Sequence, residues 1–421
     1  MKRKNIAIVG SGISGLTAAY LLKDTHDITL FEANSYIGGH TNTITVESHG
    51  KTFDVDTGFI VHNDKTYPNF VRLLEELDVA VQPTEMSFSV KDEVNNLEYN
   101  GGSLAKMFAQ KSNFVKPSFF RMINDIIRFN KHSRLLLEPG NESITLGEYL
   151  KDENYSRPFI EQYLLPMGSA IWSTVPQDML LFPAQNFIRF FLNHGLLDIK
   201  DRPQWKTIIG GSKTYVNKMT KSFKERIFLN TGVKAIRRDG RGVQLILNDG
   251  VTTKFDEVVI ATHSDQALRM LEMPTHAERR ILGAIPYQKN TAVLHTDVSL
   301  LPKRKLAWAS WNYHIAKNTQ GRTALTYNMN ILQRLDARDV FNVTLNRHDD
   351  IHPDKILKVI DYHHPLFTSE GIDAQRHKHI INGVNKTWYC GAYWGNGFHE
   401  DGVVSALEVV EGINGKAKRA A

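Results

Sequence analysis

Asn5-Ile6-Ala7-Ile8-Val9-Gly10-Ser11-Gly12-Ile13-Ser14-Gly15 is the stretch whose reading decides the fold. Residues 5–9 form a short, apolar, β-branched run suited to a strand buried on both faces. Across 11–23, Ile13, Leu16, Ala19, Tyr20 and Leu22 recur at helical spacing, and Asp27-Ile28-Thr29-Leu30-Phe31 reads as a second strand. The glycines between strand and helix fit G-x-G-x-x-G in the context that its mechanism needs. Gly10 allows the tight turn, Gly12 lets the backbone approach a pyrophosphate, and Gly15 permits close helix–strand packing. The helix N-terminus, with Ser14 in its first turn, attracts phosphate charge. Glu32, at the end of the second strand, is placed to bind ribose hydroxyls and to repel a 2'-phosphate, which disfavours NADP.

The chain has 421 residues, enough for two or three domains. Its composition, 42% hydrophobic and 23% charged, is that of a folded enzyme and too apolar for a disordered chain. The single cysteine, Cys390, excludes an internal disulfide framework and a cysteine-ligated metal or iron–sulfur scaffold, and points to a reducing cytoplasm. No run reaches the eighteen or so uninterrupted apolar residues of a transmembrane helix. The basic N-terminus lacks the apolar core and cleavage site of a signal peptide.

Further along, Phe70, Leu73, Leu74 and Leu77 predict a helix after Pro68, with Asn69 as its cap. Residues 103–200 read as mainly helical. Strands are expected at 232–236, 243–247 and 255–261, with a turn at Asn248-Asp249-Gly250, and again at 291–296 and 323–328. Residues 387–413 read as strand, glycine-rich turn and helix. There is no internal repeat. The resulting expectation is an α/β chain in which a Rossmann-like nucleotide-binding domain, built from 1–77, 206–265 and 380–421, is interleaved with an α+β substrate domain. The latter takes 78–205, mainly helical, and 266–379.

Gly38-Gly39-His40-Thr41 follows shortly after Glu32, and Asp54-Val55-Asp56-Thr57-Gly58-Phe59 ends a strand in an Asp-x-Gly turn. Near the other end, Trp388-Tyr389-Cys390-Gly391 is followed by Gly395-Asn396-Gly397-Phe398 and by His399-Glu400-Asp401-Gly402-Val403 at the entry to a helix. With these segments the chain resembles the flavin amine oxidase, phytoene desaturase and protoporphyrinogen oxidase superfamily. It is most similar to the oxidoreductases associated with cyclopropane fatty acid synthases. The resemblance implies FAD as cofactor. It puts Gly38, Gly39, His40 and Thr41 beside the diphosphate, Gly58 and Phe59 near the isoalloxazine, Val233 at the adenine, and Gly391, Gly402 and Val403 at the flavin pyrimidine ring. There the positive end of the C-terminal helix would stabilise reduced flavin.

His399 and Glu400 are the candidate proton acceptors as hydride leaves for flavin N5. Trp172 and Tyr327 are candidate pocket walls. Amine oxidases of this superfamily carry a lysine near N5, but here Thr291 occupies that place and Lys289 stands two residues earlier. This favours a desaturase-like branch acting on C–C bonds, with an apolar, acyl-type substrate. A flavin amine oxidase, a carotenoid or porphyrinogen-type oxidase and a non-catalytic FAD-binding protein are the alternatives. No second dinucleotide fingerprint is present to feed electrons from NADPH. Cys390 is the one thiol able to form a thioether to flavin, and its place in a strand favours a buried core thiol.

The net charge of +6 is local: residues 103–134 hold seven basic residues against Asp125, an excess equal to that of the whole chain. Phe114, Phe119, Phe120, Met122, Ile123, Ile126, Ile127 and Phe129 share this stretch, so it reads as a basic amphipathic segment able to meet an anionic membrane peripherally. Nucleic-acid binding is not expected, because no recognised motif accompanies the charge. His348 and His352 with Asp349 and Asp350 mimic a metal site, but Pro353 and the polar context make a solvated loop. No metal is expected.

Overall fold

A computed structural model describes residues 2–138, 144–198, 202–317 and 324–415. Parts of the sequence reading at 139–143, 199–201, 323 and 416–421 lie outside them. A five-stranded parallel sheet runs in the order Ile227–Phe228, Asp27–Phe31, Asn5–Val9, Glu257–Ile260, Thr387–Tyr389. Strand alternation sorts its side chains into two cores. Ile6 and Ile8 join Leu16, Phe70, Leu73, Val403 and Val409 on one face, while Ala7 and Val9 join Phe31, Val258, Leu245 and Tyr389 on the other. The strands of this sheet come from 1–77, 206–265 and 380–421.

A seven-stranded sheet takes Phe88–Asp92 and Leu97–Asn100 together with Trp311–Ile315, Leu325–Asn328, Asn342–Leu345, Tyr287–His295 and Ile356–Pro365. Helices between 104 and 193 pack on it through Phe119, Met122, Phe129, Phe159, Trp172 and Phe187. Residues 78–205 are therefore less uniformly helical than the sequence suggests, because two of their strands pair inside this sheet. A small sheet, Val61–Asn63, Trp205–Ile208 and Val81–Pro83, runs across the expected boundaries at 77 and 205. The strand expected at 255–261 is two strands, Thr252–Phe255 and Glu257–Ile260. They part at Asp256, whose N–H donates to the Asn5 carbonyl.

Asn69 is not a helix cap. The helix is Pro68–Glu76, with proline in its first turn, and its N-terminal amides are satisfied from a distant segment, as described below. No helix among the described residues is long and apolar enough to cross a membrane.

One buried ionic cluster clamps the nucleotide-fold sheet to the neighbouring helices. Arg238 and Glu278 have side chains only 5% and 1% exposed. Arg238 Nη2 donates to Glu278 Oε2 at 3.0 Å, and the Tyr389 hydroxyl donates to Glu278 Oε1 at 2.6 Å. Removing one member leaves a buried charge unpaired. Glu278→Ala should therefore lower stability by about 3–5 kcal/mol, read as a drop in the urea midpoint.

Candidate flavin and substrate site

The strand Asn5–Val9 ends at Gly10, whose φ is +102° and whose position leaves no room for a Cβ: the Ala261 carbonyl oxygen would lie 2.9 Å from it. The turn delivers the helix Ile13–Leu22, which has no side-chain cap and no acidic residue in its first turn. Its N-terminal amides thus keep their capacity for an anion. Gly12 faces open space, so a side chain there would fill the cavity that the turn borders. Gly15 lines no part of that cavity. A Cβ on it would lie 2.0 Å from the Gly10 carbonyl, so it serves the close packing of turn on helix.

Gly38 and Gly39 adopt φ of +124° and +60°, and Gly38 forms a bridge to Gly12, which brings the second loop against the first. Gly58 lies so close to His40 that a Cβ would sit 2.2 Å from its carbonyl, which accepts the Phe59 N–H at 2.9 Å.

These segments border one cavity of about 1340 Å³. Single ligand pockets usually run to about 300–1,000 Å³, so this one has room for a cofactor and a substrate. Gly10, Gly12, Ser14, Glu32, Gly38, Gly39, His40, Gly58, Phe59, Val233, Gly391 and His399 line it. The Glu32 carboxylate accepts the Ser11 N–H at 2.9 Å and Oγ at 2.6 Å, and Asn34 N and Nδ2 at 2.8 and 2.9 Å. These four bonds fix it at the cavity wall.

His40 is enclosed by aromatic and imidazole rings. It stacks on Tyr362 at 4.7 Å and lies 5.3 Å from His364 and 6.1 Å from His263, which itself stacks on Tyr287 at 4.5 Å. The buried His40 Nε2 has no hydrogen-bond partner. Burial, with smaller repulsion from His263 and His363, pushes His40 down to about 3. Burial does the same to His364, to about 3, and to His263, to about 4. The unpartnered His40 Nε2 is free to donate to an anionic oxygen in the tautomer that places its proton there. Together with the uncapped helix and the glycine cradle, it fits the FAD diphosphate.

Four expectations are corrected. The Glu400 carboxylate is not a base over the flavin. It accepts Asn69 N and Nδ2 at 3.1 and 2.6 Å and Phe70 N at 2.9 Å, capping the Pro68–Glu76 helix away from the large cavity. Thr41 points inward, and its hydroxyl bonds the Tyr215 hydroxyl and His399 Nε2, the latter at 3.0 Å. His399 lines the cavity, but its Nε2 is committed to Thr41 and, at 3.1 Å, to Tyr215. Its ring stacks on Phe59 at 3.6 Å, and burial holds it well below the usual histidine range. Gly402 and Val403 do not line the cavity. A Cβ on Gly402 would lie 2.7 Å from Ile13 Cγ2 and 2.9 Å from Ser14 Oγ, and Val403 is core, so both dock the C-terminal helix on the first one.

Beyond the glycine-rich segments the lining continues through Met86, Phe88, Tyr163, Met167, Ile171, Trp172, Phe190, Trp311, Tyr327 and Phe367. Trp172 and Tyr327 are thus walls. Lys289 is exposed and paired with Asp361, whose carboxylate also accepts the Thr291 hydroxyl. Cys390 is fully buried, its thiol pushed up to about 12 by desolvation, and does not line the cavity. Sequence reasoning missed Tyr362 and His364, although alternation along the strand Ile356–Pro365 puts both on one face. It also missed Arg202, which lines the mouth from a loop.

A parallel sheet carrying a glycine turn and an uncapped helix at a large cavity defines a dinucleotide-binding fold. Residues 13–323 match the profile of the family "Flavin containing amine oxidoreductase", and the chain belongs to that family. Its cofactor is FAD, and it is an oxidoreductase of the amine-oxidase-like class. An L-amino-acid oxidase of Siganus canaliculatus is 24% identical over 318 residues, covering 69% of this chain and 56% of that protein; the chain thus spans little more than half of that relative. An L-amino acid oxidase of Bothrops pictus is 22% identical over 380 residues, covering 83% and 74%. Among solved structures, cyclohexylamine oxidase from Brevibacterium oxydans IH-35A superposes with TM-score 0.69 at 14% identity, over 98% of this chain and 100% of that one. A CLA-producing fatty acid isomerase from P. acnes gives 0.65 at 14%, over 97% and 98%. At this identity the structures show the fold alone.

Replacing Glu32 with alanine should weaken FAD binding by about tenfold or more, as charged hydrogen bonds of this kind are worth ~1.5–3 kcal/mol; fluorescence titration of flavin-free protein measures it. The histidine cluster makes a second prediction. His40 and His364 sit below their unfolded value of 6.5, so their contribution is complete above pH 6.5 and is lost as pH falls toward 3. Asp56 and Asp401, raised to about 6, act in the opposite sense, so the parent-minus-variant difference is the informative quantity. In flavin-free protein, His364→Asn should flatten the fall in stability between pH 6.5 and 4 by up to about 1.4 kcal/mol per pH unit. Urea midpoints across that range check it.

Proposed function

We propose that this oxidoreductase dehydrogenates an apolar, acyl-type substrate, and that the expected contacts of Gly10, Gly12, Ser14, Glu32, Gly38, Gly39, His40, Gly58, Phe59, Val233 and Gly391 with FAD hold it for that purpose. When bound, FAD would supply the two-electron acceptor for this dehydrogenation, in which one hydrogen is lost as a hydride equivalent and the other as a proton. The observation that carries the substrate reading is the charge of the cavity. Among the described lining residues the carboxylates are Glu32 and Asp361. The first is committed to Ser11 and Asn34, and the second to Lys289 and Thr291. Among the described lining residues no carboxylate is left free to hold an ammonium group.

The walls offered there are Phe88, Met167, Ile171, Trp172, Phe190 and Tyr327. They would hold an alkyl chain by area burial, at about 25 cal/mol per Å², and exclude water from the reacting carbon. His194, on the same wall, is pushed by burial down to about 4 and adds no charge near neutral pH. Arg202, at the mouth, is the described cation on this side, with its Nε donating to the Asp198 carbonyl. It suits the carboxylate or phosphate of an acyl substrate. The same guanidinium supports a second reading, oxidation of an amino acid, which the L-amino-acid oxidase relatives favour.

Anaerobic mixing of flavin-loaded protein with acyl lipids, amino acids, amines and porphyrinogens separates these readings by loss of flavin absorbance. Acyl compounds should bleach the flavin, and Ile171→Asp should raise the KM for them by about tenfold or more, since it places a charge against the chain. Bleaching by an amine or amino acid alone would overturn the acyl reading. A flavin that no reductant bleaches would instead mark a non-catalytic FAD protein.

A further inference from the structure

The basic stretch at 103–134 is only partly the charged surface that its sequence suggests. Lys106 pairs with Glu85, Arg128 with Asp125 and Arg134 with Asp198. Asp125 is buried and also accepts the Ser156 N–H, so the segment's only acid is turned inward. Lys111, Arg121 and Lys131 are exposed and have no described acidic partner. Lys116 donates to the Asn96 carbonyl, which leaves its charge uncompensated. The outward face is therefore cationic without an intervening carboxylate of its own.

Large apolar side chains stand among these cations. Val115 is 81% exposed, Leu104 77%, Phe114 58%, Ile127 55% and Phe120 47%. They are not scattered. Phe108 stacks on Phe114 at 4.1 Å and lies 6.0 Å from Phe120, and Phe120 and Ile127, seven residues apart, share one face of the helix Pro117–His132. Contiguous exposed apolar area of this kind marks an interaction surface. Protein interfaces deplete lysine at their cores, whereas insertion into a lipid headgroup region combines bulky apolar tips with a ring of lysine and arginine.

The large cavity reaches this surface. Gly101 and Gly102 are exposed, line the cavity and run directly into Ser103 and Leu104, and Lys106 packs 3.6 Å from the position a Gly102 Cβ would take. Arg202 and Gln204 line the same rim, with Gln204 Nε2 donating to the Thr84 carbonyl.

We infer that the helical lobe docks on an anionic lipid bilayer through Leu104, Phe114, Val115, Phe120 and Ile127, with the cavity mouth at Gly101–Gly102 opening at the membrane surface. The apolar tips enter the headgroup region, and Lys111, Lys116, Arg121 and Lys131 neutralise lipid phosphates. Delivery of an acyl chain from the bilayer into the cavity rests on the function proposed above; the docking itself does not.

The test uses full-length, flavin-loaded protein sedimented with vesicles of phosphatidylglycerol and phosphatidylcholine, and with phosphatidylcholine alone. Retention on the anionic vesicles at low salt, falling as salt rises, is expected. The double variant Phe114→Ser/Val115→Ser and the triple variant Lys111→Glu/Arg121→Glu/Lys131→Glu should each lower retention by about tenfold. Flavin content and circular dichroism show that the variants are folded. No retention at low salt, or retention unchanged in either variant, overturns the docking. So does light scattering that shows the patch occupied by a second copy of the chain in solution. If vesicles retain the protein but no acyl compound bleaches its flavin, the docking stands and the acyl function falls.

Discussion

Backbone-to-backbone approach at glycine is the constraint on which the rest of this molecule depends. At Gly58 a Cβ would lie 2.2 Å from the His40 carbonyl and at Gly402 2.7 Å from Ile13, both on distant segments, while at Gly15 and Gly38 it would lie within 2.3 Å of a carbonyl of its own turn. No side chain tolerates such distances. These contacts therefore force the first turn, the loop after the second strand, the strand end at Phe59 and the C-terminal helix to converge on one point. Their convergence creates an uncapped helix end at a cavity, and the cavity binds because nothing in the protein already satisfies it.

The acidic groups near this junction are spent on architecture. Asp56 accepts the Ser212 N–H and hydroxyl and the Thr43 hydroxyl through Oδ1, and Gln333 Nε2 through Oδ2, tying a hairpin to two distant loops. Asp401 accepts the N–H groups of Asn396 and Phe398, and Glu400 those of Asn69 and Phe70. Each carboxylate satisfies backbone donors that would be costly to bury unpaired. The consequence reaches the cavity. With these charges committed to loops and helix ends, the part of the cavity bordered by Phe88, Met167, Ile171, Trp172, Phe190 and Tyr327 is left aromatic and aliphatic.

The glycine-rich lining of the cavity was legible in the chain because its requirements are local. Gly10, Gly12, Ser14, Glu32, Gly38, Gly39, Gly58, Val233 and Gly391 each sit in a short motif whose backbone shape is set within a few residues, and all line the cavity. The misplaced residues share a different character. Thr41, His399 and Glu400 lie beside motif positions, but the direction of each side chain is decided by a partner far away in sequence: Tyr215 for the first two, and the Asn69–Phe70 amides for the third. The histidine and tyrosine shell around His40 was invisible for the same reason, since Tyr362 and His364 arrive on a strand more than three hundred residues downstream.

Sequence by itself determined the nucleotide fold, the cofactor class and the concentration of basic charge in one amphipathic segment, because turn conformation, strand and helix periodicity and charge counts are local quantities. Tertiary structure alone decided which polar groups remain available. It turned Glu400 into a cap, left His40 Nε2 without a partner, paired part of the basic segment internally and attached that segment to the exposed, cavity-lining Gly101 and Gly102. Hydrogen-bond satisfaction and burial depend on what packs against a group from elsewhere in the chain, and no short stretch of sequence records that.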